Sequence, residues 1–338
     1  MKTPGQVASS PGPTMKAIVQ DGYGAPERLE LNDVAKPLVE DDSVLVRVRA
    51  ASVNALDWHS LRMPPLFRLL FRTGLRRPKR PIPGMDVAGE VEAVGANVTQ
   101  FKPGDQVIGN RASAFAEYVR GKERSFVLKP ARITFEQAAA VPVAGLTALQ
   151  GLRDKGGVRE GHRVLVNGAG GGVGTFAVQI AKALGAEVTA VTSARSVEMV
   201  RSLGADRVLD RAREDFTRGP ERYDVIFDVS ADRSFSDYRR VLTADGTLVL
   251  AGAPHVGFVR ILFRILRAQL LSRWAKPQKL IFYVSQSSKD DLVVLTEMIE
   301  AGSLTPVVDR TFPLSEAAAA VRYISERRAR GKVVLTVQ

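Results

Sequence analysis

The chain has 338 residues, 48 Lys and Arg against 36 Asp and Glu for a formal charge of +12, 45% hydrophobic residues and no cysteine. That length predicts about two domains with a sizeable core, and the missing thiols exclude disulfides and any zinc site that needs thiolate. His59, His162 and His255 stand too far apart in sequence to suggest a ligand pair, so no metal is expected.

The positive charge sits in two places. Residues 62–80 carry seven basic residues and no acid, and residues 257–279 carry six and no acid; without these thirteen the chain is close to neutral. Neither run interleaves aromatic residues in the way base stacking needs, so nucleic acid is not an expected partner. No apolar run is long enough for a transmembrane helix, and residues 1–14 lack the apolar core of a secretory signal and read as a flexible extension. A cytoplasmic location is expected.

From Met15 to about Pro130 short strand-like runs dominate, beginning with MKAIVQ. In SVLVRVRA, Val44, Val46 and Val48 alternate with Leu45, Arg47 and Arg49, as in a half-buried strand. AGEVEAVG, DQVIG and FAEYV follow between Gly, Pro and Asn, and the pattern predicts a small, mostly β, barrel-like domain. Arg68, Arg72 and Arg76 recur every four residues among Leu and Phe, and Arg260, Arg264 and Arg267 make the same stripe at spacings of four and three. Both segments read as basic amphipathic stripes suited to a membrane interface, or as a lid or dimer interface with a solvated basic rim.

At about Gly161 the texture changes to a βαβ rhythm. Strand RVLVN is followed by a glycine run and a helix whose Val173, Phe176, Ala177, Ile180, Ala181 and Leu184 keep helical spacing up to Gly185. EVTAVT, SVEMVRSL, RVL, YDVIFDVS, a helix near Phe235 to Leu242 and GTLVLAG continue the alternation, which predicts a parallel sheet covered on both faces. KLIFYV reads as an edge strand that could pair across a two-fold axis in a homodimer. The chain ends with helix DDLVVLTEMIEAG, the extended TPVVDRTFPL, helix SEAAAAVRYISERR and strand GKVVLTV, which should return to the N-terminal domain.

The run GAGGGVG (168–174) lies between a strand and its helix, where small residues let the backbone turn tightly and bring a helix N-terminus to a pyrophosphate. Read as A-x-G-x-x-G, the fingerprint positions are Ala169, Gly171 and Gly174, with Gly170, Gly172 and Val173 between them. The second strand ends in TSARS, with Ser193, Arg195 and Ser196 and no carboxylate to hold a ribose 2′-hydroxyl. A guanidinium there suits a 2′-phosphate, so NADPH is the expected coenzyme, with Arg211 as a second phosphate candidate.

With AASVNALDWHSL, IPGMDVAGEVEAVG, FKPGDQVIG, AAAVPVAGLTAL, VLVNGAGGGVGTFAVQIAKALGA and GKVVL, the chain resembles the medium-chain dehydrogenase/reductase superfamily, in its zinc-free quinone oxidoreductase (zeta-crystallin-like) branch, from Met15 to Gln338. The resemblance implies a Rossmann-type doubly wound parallel sheet over 138–286 and a GroES-like, mostly β barrel catalytic domain formed by 15–137 and 287–338. Zinc alcohol dehydrogenases carry Cys where Asn54 stands, a His-Glu pair at Met85 and Asp86, and a four-cysteine lobe; this chain has none of these. The implied activity is NADPH-dependent reduction of quinones or α,β-unsaturated carbonyls, with a membrane-associated NADPH-binding protein of little turnover as the alternative. The resemblance gives Asn54 a role in orienting substrate or ribose and Thr147 a contact with the nicotinamide. It also gives the loop of Ala251, Gly252 and Ala253 a contact with the carboxamide, and it places Lys332 among the coenzyme contacts. Asp57 reads either as a helix N-cap or as a catalytic group, and Trp58 as a pocket wall or a packed aromatic. The two basic segments, 62–80 and 257–279, fall near the mouth of the substrate cleft in the family's topology.

Overall fold

The computed structural model describes residues 13–251 and 277–338. The calls on residues 1–12, on Gly252, Ala253 and His255, and on most of the 257–279 segment therefore lie outside the described residues. β1 (Thr14–Gln20) and β2 (Leu29–Ala35) pair antiparallel as a two-stranded sheet.

β3 (Ser43–Val53) is the axis of the first large sheet. It pairs antiparallel with β4 (Asp86–Val94) and with β6 (Tyr118–Lys122), while β4 pairs with β5 (Gln106–Asn110) and β5 with β7 (Phe126–Leu128). This central place corrects the half-buried reading of β3. Leu45 is buried along with Val44, Val46 and Val48, because strand neighbours and packed helices cover both faces, and only Arg47 is exposed.

Between β3 and β4 run two short helices, α1 (Ala55–Leu61) and α2 (Pro65–Leu70). The four-residue arginine stripe does not form one helix. α2 ends at Leu70, and Arg72 takes a left-handed φ of 53°, which turns the chain away from the helix axis. α3 (Phe135–Ala139), α4 (Pro142–Leu149) and a π-helical turn (Gln150–Lys155) then lead to the second sheet.

That sheet contains β8 (Arg163–Asn167), β9 (Glu187–Thr192), β10 (Arg207–Asp210), β11 (Tyr223–Asp228), β12 (Leu242–Leu250) and β13 (Lys279–Phe282) in the order β10-β9-β8-β11-β12-β13, every pair parallel. α5 (Gly172–Ala183), α6 (Val197–Ser202) and α7 (Phe235–Val241) are the crossovers. Val164, Leu165 and Val166 are fully buried, as a parallel strand covered on both faces requires. The strand order reverses between β8 and β11, and in open α/β sheets a crevice forms at such a point, outside the carboxyl ends of the strands.

α8 (Lys289–Glu300) packs Leu292, Leu295 and Ile299 into the same core as α4. A Cβ on Gly145 of α4 would lie 2.8 Å from Leu295, so glycine there permits the close approach. β14 (Val308–Pro313) and α9 (Ala317–Ser325) follow, and β15 (Lys332–Thr336) lies antiparallel to β3 with Val333 opposite Val53. The last strand thus returns to the first large sheet, and its first residue arrives beside the glycine run.

Candidate active site

The cleft opens at the carboxyl ends of β8, β9, β11 and β12. It encloses about 330 Å³ and is lined by the glycine run, by the ends of these strands, by residues 53–55 at the end of β3 and by the segment that leads into β15. The glycines do different work. Gly168 turns the chain with φ of 93°, and a Cβ there would meet Ser230 Oγ at 2.7 Å. A Cβ on Gly174 would lie 2.2 Å from the Gly168 carbonyl oxygen and 2.7 Å from Ala169 Cα, so this position sets the strand-to-helix spacing. One on Gly170 would strike the Thr192 hydroxyl.

Gly171 is different. It caps α5 with φ of −92°, which any residue adopts, and a Cβ there would meet nothing nearer than the Gly168 oxygen at 3.5 Å. Neither packing nor backbone conformation requires glycine at 171; its missing side chain leaves room in the cleft at the start of a twelve-residue helix. The first-turn N–H groups of such a helix lack intrahelical acceptors and favour negative charge. These residues fit a dinucleotide pyrophosphate.

At the end of β9, Ser193, Arg195 and Ser196 line the cleft together with Arg211, whose backbone N–H donates to the Thr192 carbonyl at 2.9 Å. Arg195 donates from Nη2 to the Arg327 carbonyl, and Arg327, held at φ of 57°, also lines the cleft. Three arginine residues therefore border this part of the site, and no acid stands at the end of β9.

A second polar group connects both sheets. Gly331, at φ of 109°, donates its N–H to the Gly170 carbonyl at 3.1 Å and positions Lys332, whose side chain packs over Gly172. Lys332 Nζ donates to Asn54 Oδ1 at 2.6 Å and to Asp86 Oδ2 at 3.3 Å. Asn54 Nδ2 donates to the same Asp86 oxygen at 2.9 Å, as does Ser52 Oγ at 2.6 Å, while Asp86 Oδ1 accepts from the Val143 backbone N–H at 2.9 Å. Burial pushes the Lys332 ammonium below the ordinary lysine value, against the opposing pull of Asp86 and Asp57.

Asp57 is not the N-cap of α1. Asn54 is the cap, and Asp57 is its third-position partner, accepting the Asn54 backbone N–H at 2.8 Å in a capping box. Burial, reinforced by the Asp86 charge and opposed by the Asn54 N–H and Lys332, pushes the Asp57 carboxyl up to about 7.

Of the residues named from sequence, Asn54, Gly170, Gly171, Gly172, Val173, Gly174, Ser193, Arg195, Ser196, Arg211, Ala251 and Lys332 line one cleft. Four do not. Ala169 is fully buried behind the glycine run, and Asp57 is buried in the first turn of α1. Trp58 packs against the first sheet's core beneath the Arg62 guanidinium, 4.9 Å from its ring centroid. Thr147 Oγ1 bonds to the Val143 carbonyl at 2.6 Å and to Ser285 Oγ at 2.9 Å, and its own carbonyl accepts from the buried Tyr283 hydroxyl; Ala144, one turn earlier, faces the cleft instead. Sequence reasoning missed Arg327, Gly331, Ser230 and Asp232. The signal for Gly331 was its place just before Lys332; Arg327 gave none, because its arrival depends on a bend after α9. Among the described residues no group of three or more His, Asp or Glu is placed to hold a metal ion.

The family models agree with this architecture. Residues 40–150 match the alcohol dehydrogenase GroES-like domain, and residues 203–335 match the zinc-binding dehydrogenase family. The chain is 32% identical to a 2-methylene-furan-3-one reductase of Solanum lycopersicum and 34% identical to a chloroplastic NADPH-dependent alkenal/one oxidoreductase of Arabidopsis thaliana, in each case over 95% of this chain and 79% of the relative. The solved quinone oxidoreductase of Coxiella burnetii superposes with a TM-score of 0.82 at 28% identity, covering 96% of this chain and all of that one. The chain belongs to the medium-chain dehydrogenase/reductase superfamily, in its quinone oxidoreductase branch.

Proposed function

We propose that the chain is an NADPH-dependent reductase of quinones or α,β-unsaturated carbonyls that works without a catalytic metal. The observation that carries this reading is the single cleft in which a glycine run backed by a helix N-terminus, three arginine residues and the Asn54–Lys332 pair come together. The glycine run and α5 would hold the pyrophosphate, Ser193, Arg195 and Arg211 the adenosine 2′-phosphate, and Asn54 and Lys332 the ribose or the substrate.

When bound, NADPH supplies the hydride. The protein supplies orientation, exclusion of water and, in the protonated form of Lys332, a positive charge at the cleft wall. Two of the three Lys332 N–H groups are committed to Asn54 and Asp86, so the ammonium is held at the cleft wall with one N–H remaining. A preorganised cation beside the cleft favours the negative charge that develops on the carbonyl or quinone oxygen.

Metal independence is supported by the chemistry of the donor set. The Asp86 carboxylate already accepts from Ser52, Asn54 and Lys332 at Oδ2 and from the Val143 N–H at Oδ1, so both of its oxygens are engaged by protein donors. No thiolate exists anywhere in the chain. The weaker reading, a membrane-associated nucleotide binder with little turnover, leaves the Asn54–Lys332–Asp86 arrangement without a task. Among the described residues no helix is long and apolar enough to cross a membrane; a cytoplasmic location remains part of the proposal.

The test is product identification. With NADPH and a 2-alkenal or 2-alkenone, the expected product is the saturated carbonyl compound; an allylic alcohol as the sole product, from reduction at the carbonyl carbon, would overturn the reading.

A further inference from the structure

Six of the eleven large hydrophobic side chains exposed among the described residues fall within twenty positions: Leu56, Leu66, Leu69, Leu70, Phe71 and Leu75, each 53–71% exposed. They are held outward by an ordered scaffold. Phe67 and Leu61 take the buried side of the two short helices. Arg68 lies over the Tyr23 ring at 3.8 Å and clamps the loop by donating to the Met63 carbonyl at 2.6 Å and the Leu75 carbonyl at 3.0 Å. The Tyr23 hydroxyl donates to the Gly74 carbonyl at 2.9 Å, and Gly74, at φ of 104°, makes a turn in which a Cβ would strike the Arg77 carbonyl.

With Arg68 engaged in this clamp and Arg62 stacked on Trp58, the cations that flank the leucines in solvent are Arg72, Arg76, Arg77, Lys79 and Arg80. Residues 62–80 contain no acid, and of the five only Arg77 has a carboxylate partner among the described residues, Asp21 at 3.3 Å. Apolar side chains surrounded by unneutralised cations match one chemistry, an interface that is apolar beneath and anionic above. We infer that this face docks on a bilayer surface containing anionic lipid, with the leucines and Phe71 entering the acyl boundary and the basic residues meeting the headgroups. A two-fold pairing with a second copy would set the same cations against one another, because an isologous contact repeats one patch on both sides. A nucleic acid would leave the leucines in water.

The inference does not depend on the catalytic reading. α1 begins immediately after Asn54, so the docking face and the cleft wall belong to one short stretch of chain.

The experiment is co-sedimentation of the full chain with phosphatidylcholine vesicles, with and without phosphatidylglycerol. Two variants accompany it, Leu66→Ser with Leu69→Ser and Leu70→Ser, and Arg72→Glu with Arg76→Glu and Lys79→Glu; circular dichroism checks that both remain folded. The expected result is sedimentation that requires phosphatidylglycerol, falls with added salt, and weakens by about 100-fold or more in the charge-reversed protein and substantially in the leucine-depleted one. Absence of phosphatidylglycerol-dependent sedimentation overturns the inference, as does binding that persists unchanged in both variants. A concentration-dependent dimer abolished by the leucine substitutions, without vesicle binding, overturns it in favour of a second copy.

Discussion

Arg195 stands where many dinucleotide folds place a carboxylate, and its exposure to the cleft makes it the most direct test of coenzyme choice. Loss of one charge-assisted contact to a 2′-phosphate is worth about 1.5–3 kcal/mol, so Arg195→Ala should weaken NADPH binding by about tenfold or more and leave NADH binding unchanged, as read by fluorescence titration. The glycines give a paired test. Gly174→Ala forces a Cβ against the Gly168 and Ala169 backbone and should lower stability by about 1–3 kcal/mol in a urea melt, whereas Gly171→Ala should leave the melt nearly unchanged and still lose coenzyme affinity. Asp57 makes a prediction about pH. Its folded carboxyl titrates near 7 while the unfolded one titrates near 3.8, so between these values the folded state binds more protons and stability falls as pH rises. Asp57→Asn, which keeps an acceptor for the Asn54 N–H, should remove that slope and gain on the parent above pH 7; an unchanged slope would assign it to another group. The fingerprint and Arg195 were legible because each follows from position at the end of a strand. The Thr147 contact was not, since a threonine in a helix buried on every side can turn either way, and here its hydroxyl turns to Ser285.

The βαβ units were readable from sequence because strands apolar on both faces alternate with helices of clear 3.6-residue period. α1 and α2 were not, being short and broken by Pro64 and Pro65, and α4 is apolar all round because it lies buried between α5 and α8, so it shows no amphipathic period. The tie between α8 and the π-helical turn that follows α4 is polar and specific. Asp291, in the first turn of α8, accepts from Gln150 Nε2 at 2.8 Å and from Arg153 Nη2 at 2.7 Å, and these bonds, with the Arg153 charge, hold the Asp291 carboxyl below the usual carboxylate range, against its burial. Asp291→Ala breaks both bonds and leaves Gln150 with one fewer acceptor, which should lower stability by about 2 kcal/mol in a denaturant melt. If the loss is no larger than that of a surface substitution, the helix is held by Leu292, Leu295 and Ile299 alone.

At the scale of the whole molecule the cleft exists because a C-terminal strand returns to the first sheet. β15 brings Gly331 onto Gly170 and Lys332 onto Asn54, so residues nearly three hundred positions apart share one hydrogen bond. The return of the strand could be anticipated from its need for a partner, but the Asn54–Lys332 bond could not, since it depends on where the two sheets meet. The fold, the basic border of the cleft and the Asp86 carboxylate held by protein donors on both oxygens all point to one chemistry. The most direct measurement is steady-state oxidation of NADPH beside NADH across a panel of quinones and enones, with a metal chelator present throughout. Turnover that prefers NADPH and is unaffected by the chelator is the predicted result; turnover abolished by the chelator and restored by zinc, or NADPH binding without reduction of any panel member, would contradict it.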